Sequence, residues 1–80
     1  MIARESRAGV TILRLDRPDQ RNALIPAMLE MLVEHLHEAA AGDDPVILTG
    51  NGPAFCAGAD LGWLSSRPDL ALGVAELVAV

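Results

Sequence analysis

The stretch Val46-Ile47-Leu48-Thr49-Gly50-Asn51-Gly52-Pro53-Ala54-Phe55-Cys56-Ala57-Gly58-Ala59-Asp60-Leu61 decides the fold of this 80-residue chain. Val46 to Thr49 is a short unbroken apolar run. It predicts a strand buried on both faces, as in a parallel sheet. Gly50 to Gly58 is a loop of small residues. Asp60 to Leu64 predicts a short helix. A strand, a glycine-rich loop and a helix start together make a place where backbone groups can approach a ligand.

Upstream, Pro26 to Ala41 predicts a helix. Leu29, Leu32, Val33, Leu36 and Ala40 recur at helical spacing, with Glu30, Glu34, His37 and Glu38 on other faces. Pro26 suits the first helical position and Gly42 the stop, whereas Ile25 is a poor cap. Val10 to Leu15 is β-branched and partly alternating, a good strand. Before it, Ile2 to Arg4 predicts a short strand and Arg7-Ala8-Gly9 a turn. The class is α/β: a β-hairpin, then a right-handed βαβ unit with Val10–Leu15 and Val46–Thr49 parallel and adjacent, then short C-terminal helices. Asp16 to Asn22 is a polar surface loop rich in Pro and Asx residues. Ser65 to Asp69 is a second break, and Leu70 to Val80 is a weakly helical tail with Leu70, Val74, Leu77 and Val78 on one side. Residues 1–80 form a single segment.

Composition narrows the function. Hydrophobic residues make up 51% and charged residues 21%, so the chain folds rather than staying disordered. Ala and Leu supply 25 of the 80 residues and aromatics only two, so each buried side chain contributes little area. A large self-sufficient core is not expected. Net charge is −5, with six arginines and no lysine, which disfavours a nucleic-acid surface. One cysteine and two histidines give neither a disulfide framework nor a zinc spacing. No apolar run spans a bilayer, and the N-terminus has no signal core. The expectation is a cytoplasmic protein without a metal.

Two nucleotide-binding readings of the glycine loop fail. The dinucleotide fingerprint places Phe55 where its third glycine belongs, and the P-loop needs a lysine that the chain lacks. Two readings remain. Gly58-Ala59-Asp60 can present unpaired N–H groups at a helix start, suited to a developing oxyanion, or it can be an ordinary tight turn. Glycine content alone favours the turn.

The longer pattern changes that balance. Leu15-Asp16-Arg17-Pro18-Asp19-Gln20-Arg21-Asn22-Ala23-Leu24, the Met28/Leu32 helix, Val46-Ile47-Leu48-Thr49-Gly50-Asn51-Gly52 and Ala54-Phe55-Cys56-Ala57-Gly58-Ala59-Asp60-Leu61 follow in this order. Together they resemble the N-terminal portion of the enoyl-CoA hydratase/isomerase (crotonase) family, over residues 10–61. The resemblance implies a partial crotonase-like fold and an acyl-CoA thioester as partner, with coenzyme A as part of the substrate and no separate cofactor. It implies that Arg21 and Ala23 meet the nucleotide or pantetheine part of CoA. It further implies that Ala57, Ala59, Asp60 and Leu61 line the thioester and acyl region. The Ala59 N–H becomes one of two oxyanion donors. The second donor glycine and the catalytic glutamates of that family belong to later segments. An incomplete fold, inactive by itself, is therefore expected. It would be completed by a complementing C-terminal chain or survive as a remnant.

Several residues have plainer roles. Asp60 suits the first turn of a helix, where a carboxylate meets the positive dipole end. Glu30, Glu34 and Glu38 form a solvated stripe. Cys56 is expected to be a small buried loop residue. His35 and His37 face apart. Arg17 and Arg21 can grip phosphates or sit in solvent, and Trp63 can cover an acyl chain or anchor the short helix. The alternative function is a non-catalytic interaction module that associates through an exposed sheet edge beside Val46–Thr49 and through the apolar tail, with itself or another chain.

Overall fold

A computed structural model describes residues 1–66. The expected helical tail at Leu70–Val80 and most of the break at Ser65–Asp69 lie outside the described residues.

The elements are β1 (Ile2–Arg7), β2 (Val10–Leu15), a turn of 3-10 helix (Pro18–Gln20), α1 (Pro26–Ala40), β3 (Val46–Gly50) and α2 (Leu61–Ser65). The sheet order is β1-β2-β3. β1 and β2 are antiparallel, from Ile2 opposite Leu15 to Arg7 opposite Val10. β2 and β3 are parallel, from Thr11 opposite Val46 to Leu15 opposite Gly50. The hairpin and the parallel, adjacent strands of the βαβ unit are thus as expected.

β1 is twice the expected three residues. The hairpin turns through Ala8 at φ 51° and Gly9 at φ 77°, a tight two-residue turn whose twist matches the strands. Pairing therefore extends through Glu5, Ser6 and Arg7, which are weak strand formers. Glu5 helps hold this end. Its carboxylate accepts from Arg14 Nη1 at 2.6 Å and from Arg7 Nη2 at 2.6 Å. These two bonds, that from Arg14 foremost, hold its pKa below the ordinary glutamate value.

β2 is the central strand, and its alternation decides the core. Thr11, Leu13 and Leu15 are buried, while Val10, Ile12 and Arg14 are half-buried. α1 contributes Met28 and Ala39 to the buried set. This corrects the expected helical face. Leu29, Leu32 and Val33 are only half-buried, and Leu36 and Ala40 are exposed. The helix is rotated by about one residue position from that expectation. Arg4 Nη1 on β1 binds Glu38 Oε2 at 2.7 Å, an exposed pair between the hairpin and the Glu38–Ala39 side of the helix. Glu30 and Glu34 are exposed, as expected.

β3 also departs from expectation. Val46, Ile47 and Leu48 are all exposed, Ile47 by 50%. The composition of the strand suits burial on both faces, but β3 is an edge strand here, flanked only by β2 among the described residues.

Candidate functional site

β2 and β3 are parallel, so the loops that follow them leave the same end of the sheet. The first loop, residues 16–25, carries the Pro18–Gln20 turn. The second, residues 51–60, leads to α2. Asn51 N donates to Leu15 O at 2.9 Å, which continues the β2–β3 ladder into the loops. Gly50 is required at the start of the second loop. A Cβ there would lie 2.5 Å from Phe55 O and 2.7 Å from Ala54 O, because the loop folds back over it.

Asn22 joins the two loops. It is 0% exposed and sits at φ 56°, a left-handed conformation that Asn tolerates better than most residues. Its Oδ1 accepts from Arg17 N–H at 2.8 Å. Its Nδ2 donates to Asn51 O at 3.0 Å and Ala54 O at 2.9 Å. One amide thus closes the first loop on itself and fastens it to the second.

Arg17 makes a second junction. Its side chain is 19% exposed. Nη1 donates to Ala23 O at 2.6 Å and Nη2 to Asp60 Oδ2 at 3.1 Å. Asp60, with a side chain 14% exposed, is the N-cap of α2, and its Oδ1 accepts from Trp63 N–H at 2.8 Å. The Trp63 N–H, and after it the Arg17 guanidinium, hold the Asp60 carboxyl below its ordinary pKa. The helix-cap role expected for Asp60 is present, with an ion pair added. Arg17 points inward, so its alternative as a phosphate grip is not what the structure shows.

Backbone bonds complete the seam. Leu24 N donates to Gly58 O at 2.7 Å, Asp60 N to Leu24 O at 2.9 Å, and Ala57 N to Arg21 O at 3.0 Å. Leu24 and Ala59 form a parallel bridge. The Gly58–Ala59 peptide is trans, so its C=O and N–H point in opposite directions. With Gly58 O aimed at Leu24, the Ala59 N–H faces away from the seam. It has no acceptor among the described residues. Gly58 takes φ 97° to set this plane, a conformation that favours glycine.

The expected site residues fall into two groups. Ala57, Ala59 and Leu61 are exposed on the second loop and the start of α2, Leu61 by 80%. Arg21 is exposed on the first loop, and its guanidinium has no ion-pair partner among the described residues. Ala23 is buried, with its N–H bonded to Gln20 O at 3.0 Å and its C=O taken by Arg17. Asp60 is engaged as described. Cys56 is half-buried, and its Sγ lies 3.4 Å from Gly58 N. Among the described residues no three His, Cys, Asp or Glu side chains cluster as metal ligands. The two residues that organise the site, Asn22 and Arg17, were not singled out for this role by sequence reasoning. The available signal was a polar Asn set against the apolar Ala23-Leu24.

Two measurements test this arrangement. Asn22→Ala leaves the part-buried Arg17 N–H and two carbonyls without this partner, so it should cost about 3 kcal/mol in urea denaturation. Asn22→Asp should be no better at neutral pH, because a carboxylate cannot donate to the Asn51 and Ala54 carbonyls. A cost below about 1 kcal/mol for either would mean that the loops are held by other contacts. The second measurement uses pH. A carboxyl held below its ordinary value of 3.8 stabilises the fold fully above its unfolded pKa, and that contribution is lost as the pH falls through the lowered folded value. Asp60→Asn keeps a capping side chain and loses the charge. The stability gap between the parent chain and Asp60→Asn should be full above the ordinary carboxylate pKa and close as the pH falls through the lowered folded value. A gap independent of pH would contradict the ion-paired state.

Residues 5–71 match the profile of the enoyl-CoA hydratase/isomerase family. Over 54 residues the chain is 46% identical to a Rhodobacter capsulatus protein named "Probable enoyl-CoA hydratase", covering 68% of this chain and 21% of that protein. Over 74 residues it is 45% identical to a 2,3-dehydroadipyl-CoA hydratase of Escherichia coli, covering 89% of this chain and 28% of that one. A crystal structure of an enoyl-CoA hydratase from Mycobacterium smegmatis superposes with a TM-score of 0.85 at 34% identity, over 98% of this chain and 31% of the other. The chain therefore spans less than a third of the length of each of these relatives. On this match of sequence and structure, the chain belongs to the enoyl-CoA hydratase/isomerase family and carries an N-terminal portion of the crotonase fold.

Proposed function

We propose that this chain binds an acyl-CoA thioester in the cytoplasm and supplies one half of the polarising site for 2-enoyl-CoA chemistry. The observation that carries this reading is the Ala59 N–H, set by the Leu24–Gly58 bond, without an acceptor among the described residues and on an exposed residue. Arg21 supports it as an exposed cation suited to the phosphates of coenzyme A, and Ala57 and Leu61 offer exposed apolar surface to the acyl region.

The chemistry follows from charge development. When water adds to a 2-enoyl thioester, oxygen bonds to C3 and the C2–C3 π pair moves toward the thioester carbonyl, giving an enolate. A proton then reaches C2. An N–H that meets the carbonyl oxygen stabilises that charge more in the transition state than in the ground state. Loss of one such donor costs about 10²–10³-fold in rate. The water also needs a base, and C2 needs an acid. Asp60 is the carboxylate nearest Ala59 in sequence, and it is committed to Arg17 and Trp63. The resemblance assigns the second donor and the acid/base glutamates to later parts of the family's chain. The 80 residues thus bind and polarise the thioester, and hydration needs groups that the family carries in later segments.

The test is a titration of the purified chain with a 2-enoyl-CoA, followed by loss of enoyl absorbance over time. Binding is expected without turnover, and Ala59→Pro, which removes the N–H, should weaken binding of the thioester. Turnover by the 80 residues alone, abolished by Ala59→Pro, would contradict the incomplete site. Failure to bind any CoA thioester would contradict the substrate class.

The exposed Val46, Ile47 and Leu48 on the β3 edge favour a second reading, an interaction module. In that case the same chain self-associates through β3 in sedimentation and shows no response to CoA thioesters.

A further inference from the structure

We infer that Arg17 polarises the Ala59 N–H through two intervening peptide groups, acting as a positioning residue for the thioester carbonyl. The inference rests on the proposed role of Ala59 as a carbonyl donor. Arg17 Nη1 donates to Ala23 O at 2.6 Å. That carbonyl belongs to the same trans peptide as the Leu24 N–H, which donates to Gly58 O at 2.7 Å. The Gly58 carbonyl in turn belongs to the same trans peptide as the Ala59 N–H. The order is guanidinium, peptide, peptide, free N–H.

Two physical consequences follow. A trans peptide holds its C=O and N–H antiparallel, so each bond in the relay fixes the direction of the next donor. Arg17 thereby aims Ala59 without touching it. The dipoles are also aligned head to tail, with a cation at the head. Hydrogen bonds in such a chain strengthen one another by about 10–30% per bond, and a charged donor is stronger than a neutral one. The Ala59 N–H is therefore a better donor than an isolated amide. The second arm of the fork, Nη2, meets Asp60 Oδ2 at 3.1 Å, while Nη1 is held by Ala23 O itself. Lysine carries the charge but not the planar fork.

The test separates polarisation from mere packing. The chain is titrated with 2-hexenoyl-CoA and with S-hexyl-CoA, a thioether that lacks the carbonyl. The Ala59 amide proton is followed by NMR in the unliganded chain. Arg17→Met should lower the preference for thioester over thioether by about two- to fivefold, with thioether binding unchanged. It should also move the Ala59 amide proton upfield. Arg17→Lys should recover part of both effects. Asp60→Asn leaves Ala23 O available to Arg17 Nη1 and should move the Ala59 proton less than Arg17→Met does. An unchanged preference and an unmoved Ala59 proton in Arg17→Met would overturn the relay. So would a loss in Asp60→Asn as large as in Arg17→Met, because Arg17 would then act only by tying down Asp60. Should Arg17→Met fail to fold, Arg17→Lys and Asp60→Asn give the same decision. If the parent chain binds neither CoA compound, the proposed substrate falls, and the response of the Ala59 amide still decides the relay.

Discussion

The Asn22 side-chain amide is the constraint on which this structure turns. It is fully buried, and a buried amide without partners costs a substantial part of the stability of a small domain. Here its carbonyl meets one N–H and its amino group meets two carbonyls, on two loops that are about 30 residues apart in sequence. Satisfying Asn22 requires the loops to touch in one register. Leu24 then lies against Ala59, and the Gly58–Ala59 plane is set. The direction of the Ala59 N–H is thus a consequence of burying one asparagine beneath the ends of two parallel strands.

The framework that brings these loops together was legible in the residues. The alternation of Val10–Leu15 and the apolar run of Val46–Thr49 gave two strands, and the periodic segment after Pro26 gave the helix between them. A parallel pair follows from that order, and with it the shared end where both loops emerge. Burial was less legible. Leu36 and Met28 are equally apolar, and periodicity cannot say which of two adjacent stripes meets the sheet. The rotation of α1 is set by which stripe packs on the sheet, here that of Met28 and Ala39, and the exposed Arg4–Glu38 pair accompanies it. The exposure of Ile47 was illegible for a related reason. A strand composed for burial reads the same whether or not a neighbour lies beside it.

The site was read in part. Ala59, Asp60, Arg21 and the alanine-rich loop were picked out by resemblance, and the structure brings the two segments that hold them into contact. Arg17 and Asn22 escaped because their roles exist only across the seam. Nothing local distinguishes an arginine that forks between Ala23 O and Asp60 from a solvated one. The left-handed backbone at Arg21 and Asn22 is likewise set by the contact and not by local preference, which for Arg runs the other way.

Amide hydrogen exchange on the unliganded chain tests most directly whether this seam is built before any ligand arrives. The amides of Leu24, Ala57 and Asp60 bond across it and that of Asn51 continues the ladder at its edge, while that of Ala59 has no partner among the described residues. The account predicts that these four open with the same free energy as the amides of β2, and that Ala59 exchanges much faster than its neighbour Asp60. Exchange of Leu24 and Ala57 at unprotected rates, with β2 still protected, would contradict it.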